Sequence, residues 1–117
     1  MIANSAKFAE LSTQLALSKK AEDIILMDVR KVTSVADFFV ICSGNSDTQI
    51  KAIADAIIEG LEKENMSMWH MEGYSHLKWV LLDYVDFVVH VFHKDTRNYY
   101  GLERLWGDAN IRIIETN

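Results

Sequence analysis

The pattern of apolar and polar positions divides the chain into helices and strands. Phe8, Leu11 and Leu15 recur at helical spacing and predict a helix over residues 6–20. DIILMDV, over 22–29, reads as a strand, and 30–36 as a connection. Residues 37–43 read as a second strand around the continuous apolar run FFVIC, the pattern of a central strand buried on both faces. Gly44 and Asn45 break it, and Ser46 with Gln49 has capping-box spacing. The next helix carries Ile50, Ile53, Ala54, Ile57 and Leu61 on one stripe, with Lys51, Asp55, Glu59 and Glu62 largely outside it. Residues 67–71 form a weaker strand and 73–76 a turn. Asp95 or Thr96 can cap a last helix that reaches Trp106, with Tyr99, Leu102 and Trp106 on its buried side and Gly107 as its stop. Gly101 inside that helix costs about 1 kcal/mol relative to Ala, so packing must hold it. The order implies an α/β (α+β) domain, a mixed sheet of about five strands packed with helices.

Between the 73–76 turn and the last helix, the strand-like segments WVLLD and DFVVHVF nearly touch. A two-residue turn at Tyr84-Val85 would set Asp83 opposite Asp86, Leu81 opposite Val88 and Trp79 opposite His90. The other face would pair Leu82 with Phe87 and Val80 with Val89. That face is wholly apolar and should receive the central helix. The first carries an indole, an imidazole and two carboxylates, which makes it a candidate binding surface.

Length and charge narrow the choices. The 117 residues suffice for one domain, residues 1–117, with its own core. No apolar run approaches the roughly 20 residues that span a bilayer. The N-terminal residues match no signal or transit pattern, so a cytoplasmic location is the default. The formal net charge is −5, and Lys and Arg are scattered. Direct nucleic-acid binding calls for a basic face, so a basic protein partner suits this balance better. Cys42 stands alone within FFVICS, the setting of a buried structural thiol.

The tests for chemistry give little. The strand–SGNSD–helix segment from Phe38 to Gln49 resembles the Gly-Ser entry of nucleotidyltransferase folds, where helix N–H groups hold phosphate. The simpler reading has Gly44 making the turn and Ser46 capping the helix. Phosphoryl transfer also needs a carboxylate pair on the next strand to hold divalent metal, and MSMWHM supplies none. Asp83 and Asp86 have no third ligand or cation in sequence reach, so solvated strand-end acids are the alternative to an acid–base pair. His70, His76, His90 and His93 form no metal-binding pair at helical spacing. Neither a metal nor a cofactor is expected. Trp79 is balanced between surface anchor and core residue. Tyr100 and Glu103 lie off the buried stripe of the last helix, either solvated or part of the same surface.

Several blocks, in order, carry a resemblance: AEDIILMDVRKVTSVADFFVICSGNS, AIADAI, EGY, WVLLDYVDFVVHVF and YYGLERLWGDA. Over roughly residues 10–110 the chain resembles the Iojap family, whose bacterial members are the ribosomal silencing factors. The resemblance implies a nucleotidyltransferase-like topology without the catalytic carboxylates. It implies a translational repressor, not an enzyme, that binds large-subunit ribosomal protein fourteen (L-fourteen), blocks joining of the small and large subunits, and lowers protein synthesis under nutrient limitation. It also implies homodimers. Trp79, Asp83, Asp86, His90, Tyr100 and Glu103 are then the expected partner-binding residues. The competing class is a nucleotide-binding protein or nucleotidyltransferase relative that uses Ser43 to Ser46. The family usually has Gly in the hairpin turn where this chain has Val85, and a β-branched residue tolerates positive φ poorly.

Overall fold

A computed structural model describes residues 5–101, 104, 107 and 109–114, with Tyr99 and Tyr100 described by their backbone alone. The elements are α1 (Ser5–Ser18), β1 (Glu22–Asp28), β2 (Phe38–Gly44), α2 (Asp47–Lys63), β3 (His70–Glu72), β4 (Trp79–Asp83), β5 (Phe87–His93), α3 (Lys94–Tyr100) and β6 (Asn110–Ile113). The strands form one mixed sheet in the order β3-β4-β5-β2-β1-β6. β2 and β5 are parallel neighbours and every other pairing is antiparallel. β2 is buried along its whole length, as a continuous apolar run in the middle of a sheet must be.

One sheet face packs against α1 and α2. Ile50, Ile53, Ala54, Ile57 and Leu61 of α2 are all fully buried there, on the stripe that the sequence spacing predicts. They meet Val40, Cys42, Val80, Leu82, Phe87, Val89 and Val91 of the sheet, with Phe8, Ala9 and Ala16 of α1 completing the core. The Cys42 thiol lies inside it, and burial pushes its pKa up to about 12, which makes it inert. The opposite face gathers a smaller core of Ile25, Met27, Phe39, Ile41, Val88 and Phe92, roofed in part by Val29 and Ala36 from the connection after β1.

Three expectations change. The described sheet has six strands where about five are expected, because β6 adds to the outer edge of β1. α3 stops before the expected Trp106, although Arg104 beyond it is again helical: Gly101 adopts a left-handed conformation (φ +54°) as the C-cap of α3, its N–H bonded to Arg97 O. The same freedom that makes glycine costly inside a helix makes it a good stop. His93, and not Asp95 or Thr96, provides the N-cap. Leu102, Glu103 and Trp106 lie outside the described residues.

The hairpin register also differs. Asp83 pairs with Val88, Leu81 with His90 and Trp79 with Phe92, so Asp83 does not face Asp86. The turn spends four residues, closed by a 3.0 Å bond from Tyr84 N–H to Phe87 O. Asp86 N–H bonds to Tyr84 O at 2.9 Å around Val85, whose φ is +73°. That is a γ-turn of the strained, positive-φ kind. A primed two-residue turn would have required positive φ at Tyr84 as well. The slip from the expected register is by two residues and not one, so every side chain keeps the face assigned to it.

Candidate docking face at the β3–β4 end of the sheet

Trp79, Leu81 and Asp83 alternate along β4 and point away from the helices, and all three are half-buried. Gly73 (φ +79°) makes the bend that starts this strand. A Cβ there would stand 2.0 Å from Trp79 O, so only glycine lets the chain turn this closely beside β4. Trp79 is held on two sides. Its indole stacks on Phe92 with ring centroids 4.8 Å apart, and its Nε1–H donates to His90 Nδ1 at 3.1 Å. The indole is therefore fixed before any partner arrives.

His90 is only 5% exposed. It lies beneath Trp79, with the edge of the imidazole against Phe39, and burial pulls its pKa down to about 3. Because Nδ1 accepts from Trp79, the neutral ring carries its proton on Nε2, which has no hydrogen-bond partner among the described residues. His90 thus positions Trp79 from below and offers almost no contact area of its own.

The hairpin tip continues this face. Asp83 Oδ1 accepts from Val85 N–H at 2.8 Å, which ties the strained residue in place. Val85 is 55% exposed and Asp86 is also exposed. Asp86 O accepts from Asp37 N–H at 2.7 Å, anchoring the tip to the strand-like end of the 30–37 connection. On the far side, His70 and Glu72 of β3 sit opposite Asp83 and Leu81 on the same face, with His70 Nε2 2.8 Å from Glu72 Oε2. Trp69 donates its N–H to Asp83 O at 2.8 Å and is 70% exposed. The residues 70–72 and 79–86 together bring Trp79 and the carboxylates of Glu72, Asp83 and Asp86, with no Lys or Arg among them.

Of the residues singled out in the sequence, the structure brings Trp79, Asp83 and His90 together and sets Asp86 at the adjoining tip. The Tyr100 side chain and Glu103 lie outside the described residues. Leu81 keeps the face assigned to it from the sequence, and Glu72, which was not singled out, joins that face across β3. No local signal marks Glu72, because exposure at a sheet edge depends on which strand ends up outermost.

The turn between β2 and α2 is organised differently. Ser46 Oγ accepts from Gln49 N–H at 3.1 Å, and Gln49 Oε1 accepts from Asn45 N–H at 2.8 Å. Gln49 Nε2 donates to Lys20 O at 3.0 Å, and Asn45 Nδ2 to Glu22 Oε2 at 2.7 Å. Its polar groups close on one another and on the end of α1, and the negative charges of Glu22 and Asp47 beside it disfavour a phosphate. The helix-cap reading is the one the geometry supports. No cluster of three or more metal-ligating side chains forms among the described residues, and no described helix is long and apolar enough to cross a membrane.

Comparison with known proteins decides the family. The family model described as "Ribosomal silencing factor during starvation" matches residues 2–117. The chain belongs to the ribosomal silencing factor family. It is 45% identical over 112 residues to the ribosomal silencing factor RsfS of Bacillus subtilis, covering 96% of this chain and 95% of that one. It is 33% identical over 107 residues to the chloroplastic Iojap protein of Zea mays, of which it spans 46%. Two solved structures share the fold. A Chromobacterium violaceum protein superposes with TM-score 0.85 at 33% identity, covering 87% of this chain and 85% of that one. A Bacillus halodurans protein superposes with TM-score 0.80 at 37% identity, covering 95% and 99%. Both share the fold described above, and the Iojap resemblance of the sequence holds.

Proposed function

We propose that this protein is a non-enzymatic repressor of translation. It docks on the large ribosomal subunit through ribosomal protein fourteen and obstructs joining of the small subunit when nutrients are scarce. The observation that carries this reading is the outward face of β3 and β4: a tryptophan pinned by Phe92 and His90, bordered by carboxylates and free of Lys and Arg. A fixed aromatic anchor loses little freedom on binding, which is the property of an interface hot spot. The carboxylates suit a basic ribosomal protein and would repel bare RNA phosphate.

Trp79 supplies area at the centre in this reading, while Asp83 and Asp86 meet cations of the partner. Tyr100 and Glu103 extend the contact from the segment after β5, and His90 holds the anchor in place. A stable docking buries on the order of 1,200–2,000 Å² in total. Light scattering of purified subunits tests the role. Saturating protein should suppress the signal of subunit joining, and undiminished joining at saturation would refute it.

A further inference from the structure

A second concave site lies on the helix side of the sheet, behind the β4–β5 turn. There the start of α1 and the residues that follow α2 converge on Tyr84 and Phe87. It encloses about 250 Å³, a little below the roughly 300–1,000 Å³ usual for drug-sized ligands, so it suits a small molecule.

Phe8, Met66 and Phe87 supply apolar walls. Tyr84 lines the cavity and is itself 5% exposed, its ring stacked on Phe87 with centroids 5.0 Å apart. The Tyr84 hydroxyl is buried and has no hydrogen-bond partner among the described residues. Burial pushes its pKa up to about 12, so it stays a neutral phenol. A buried hydroxyl left unpaired is unfavourable, and a ligand in the cavity would supply the partner that the chain withholds.

Asp86 and Asn65 line the exposed rim, and neither side chain has a hydrogen-bond or ion-pair partner among the described residues. Asp86 is the charged group of the described lining. Around it, Asp37 accepts from Ser5 Oγ at 3.0 Å, Glu62 acts on Tyr84, and the Lys7 ammonium lies 5.6 Å from the centre of the Phe8 ring. Arg30, beside Asp37, is paired with Asp28 at 2.6 Å. Lys63 and Glu64, just before Asn65, offset each other, as do the amino end of α1 and the carboxyl end of α2. The local balance is therefore negative.

We propose that this cavity binds a small hydroxylated organic amine in its ammonium form. Asp86 and the Asn65 side-chain oxygen accept from the ammonium at the rim. The ligand hydroxyl pairs with the Tyr84 hydroxyl further in, and Phe8, Met66 and Phe87 cover the hydrocarbon between.

Amide NMR titration of the full chain at neutral pH and constant ionic strength tests this with three probes: tyramine, phenethylamine and 3-(4-hydroxyphenyl)propionate. Tyramine should give saturable shifts centred on Ser5, Asn65, Met66 and Asp86. The carboxylate analogue should bind about tenfold more weakly or worse. Phenethylamine, which lacks the hydroxyl, should bind about threefold more weakly, and Tyr84→Phe should abolish that difference between the two amines. Asp86→Asn, at an exposed position, should weaken both amines about tenfold. The proposal fails if tyramine does not saturate, if the carboxylate analogue binds as tightly, or if either variant binds all three probes as the wild type does. No ribosome enters the test, so this site and the docking face stand or fall separately.

Discussion

The turn from β2 into α2, Gly-Asn-Ser-Asp, and the turn from β4 into β5, Asp-Tyr-Val-Asp, both carry polar side chains at the end of a strand and use them to opposite ends. In the first, the serine, asparagine and glutamine side chains satisfy the helix start and the end of α1, and little polar capacity is left over. In the second, Asp83 uses one carboxylate oxygen to hold Val85 in a strained conformation, while Asp86 stays exposed at the tip. Polar residues that close on their own backbone stabilise a fold, and polar residues held facing outward are available to a partner. Residue type alone does not tell the two apart.

The contrast can be broken or sharpened by substitution. The largest effect should come from Trp79→Ala. Truncating a fixed aromatic anchor should weaken binding to large-subunit protein fourteen by about 2 kcal/mol or more, roughly 30-fold, as measured by calorimetry. Ser46→Ala should leave that affinity unchanged.

Next in size is an acid dependence of stability centred on His90. Its pKa is lowered from 6.5 to about 3 in the folded state, so below pH 6.5 the unfolded chain takes up a proton that the folded one refuses. The His90 contribution is therefore complete above pH 6.5 and is lost as pH falls towards 3. Between pH 6.5 and 5 the loss should approach about 2 kcal/mol. Urea unfolding at the two pH values measures it, and His90→Gln, which cannot charge in this range, should remove this part of the slope.

Smaller effects separate the turns themselves. Ser46→Ala removes the cap on Gln49 N–H and should cost about 1 kcal/mol of stability. Val85→Gly should do the reverse, stabilising by about 0.5–1 kcal/mol, because relief of the positive-φ strain outweighs the added freedom of the unfolded chain. A destabilised Val85→Gly protein would mean that the γ-turn is not strained.

These two turns also show how much the sequence could reveal. The Ser46–Gln49 spacing and the apolar stripe of α2 are local patterns, and both appear in the structure with the expected residues. The two hairpin faces were legible for the same reason, since alternation fixes side-chain parity. The register was not, because it depends on the conformation of Val85, where strain, turn length and the bond from Asp83 compete. Gly101 was misread for a related reason: a glycine costs a helix its interior but favours its end, and tertiary packing, not the local pattern, decides between the two. β6 has four exposed residues and exists by pairing with β1, which no local pattern announces. Glu72 joined the candidate face only once β3 was seen to be an outer strand.

The central claim is that the outward carboxylates on the face of Trp79 recognise a basic ribosomal protein. The most direct measurement is the affinity of the Asp83→Lys, Asp86→Lys double variant for purified large-subunit protein fourteen at low salt, beside the wild type. Charge reversal should weaken binding at least tenfold and flatten its dependence on salt. Equal affinity of the two proteins at low salt would contradict the claim.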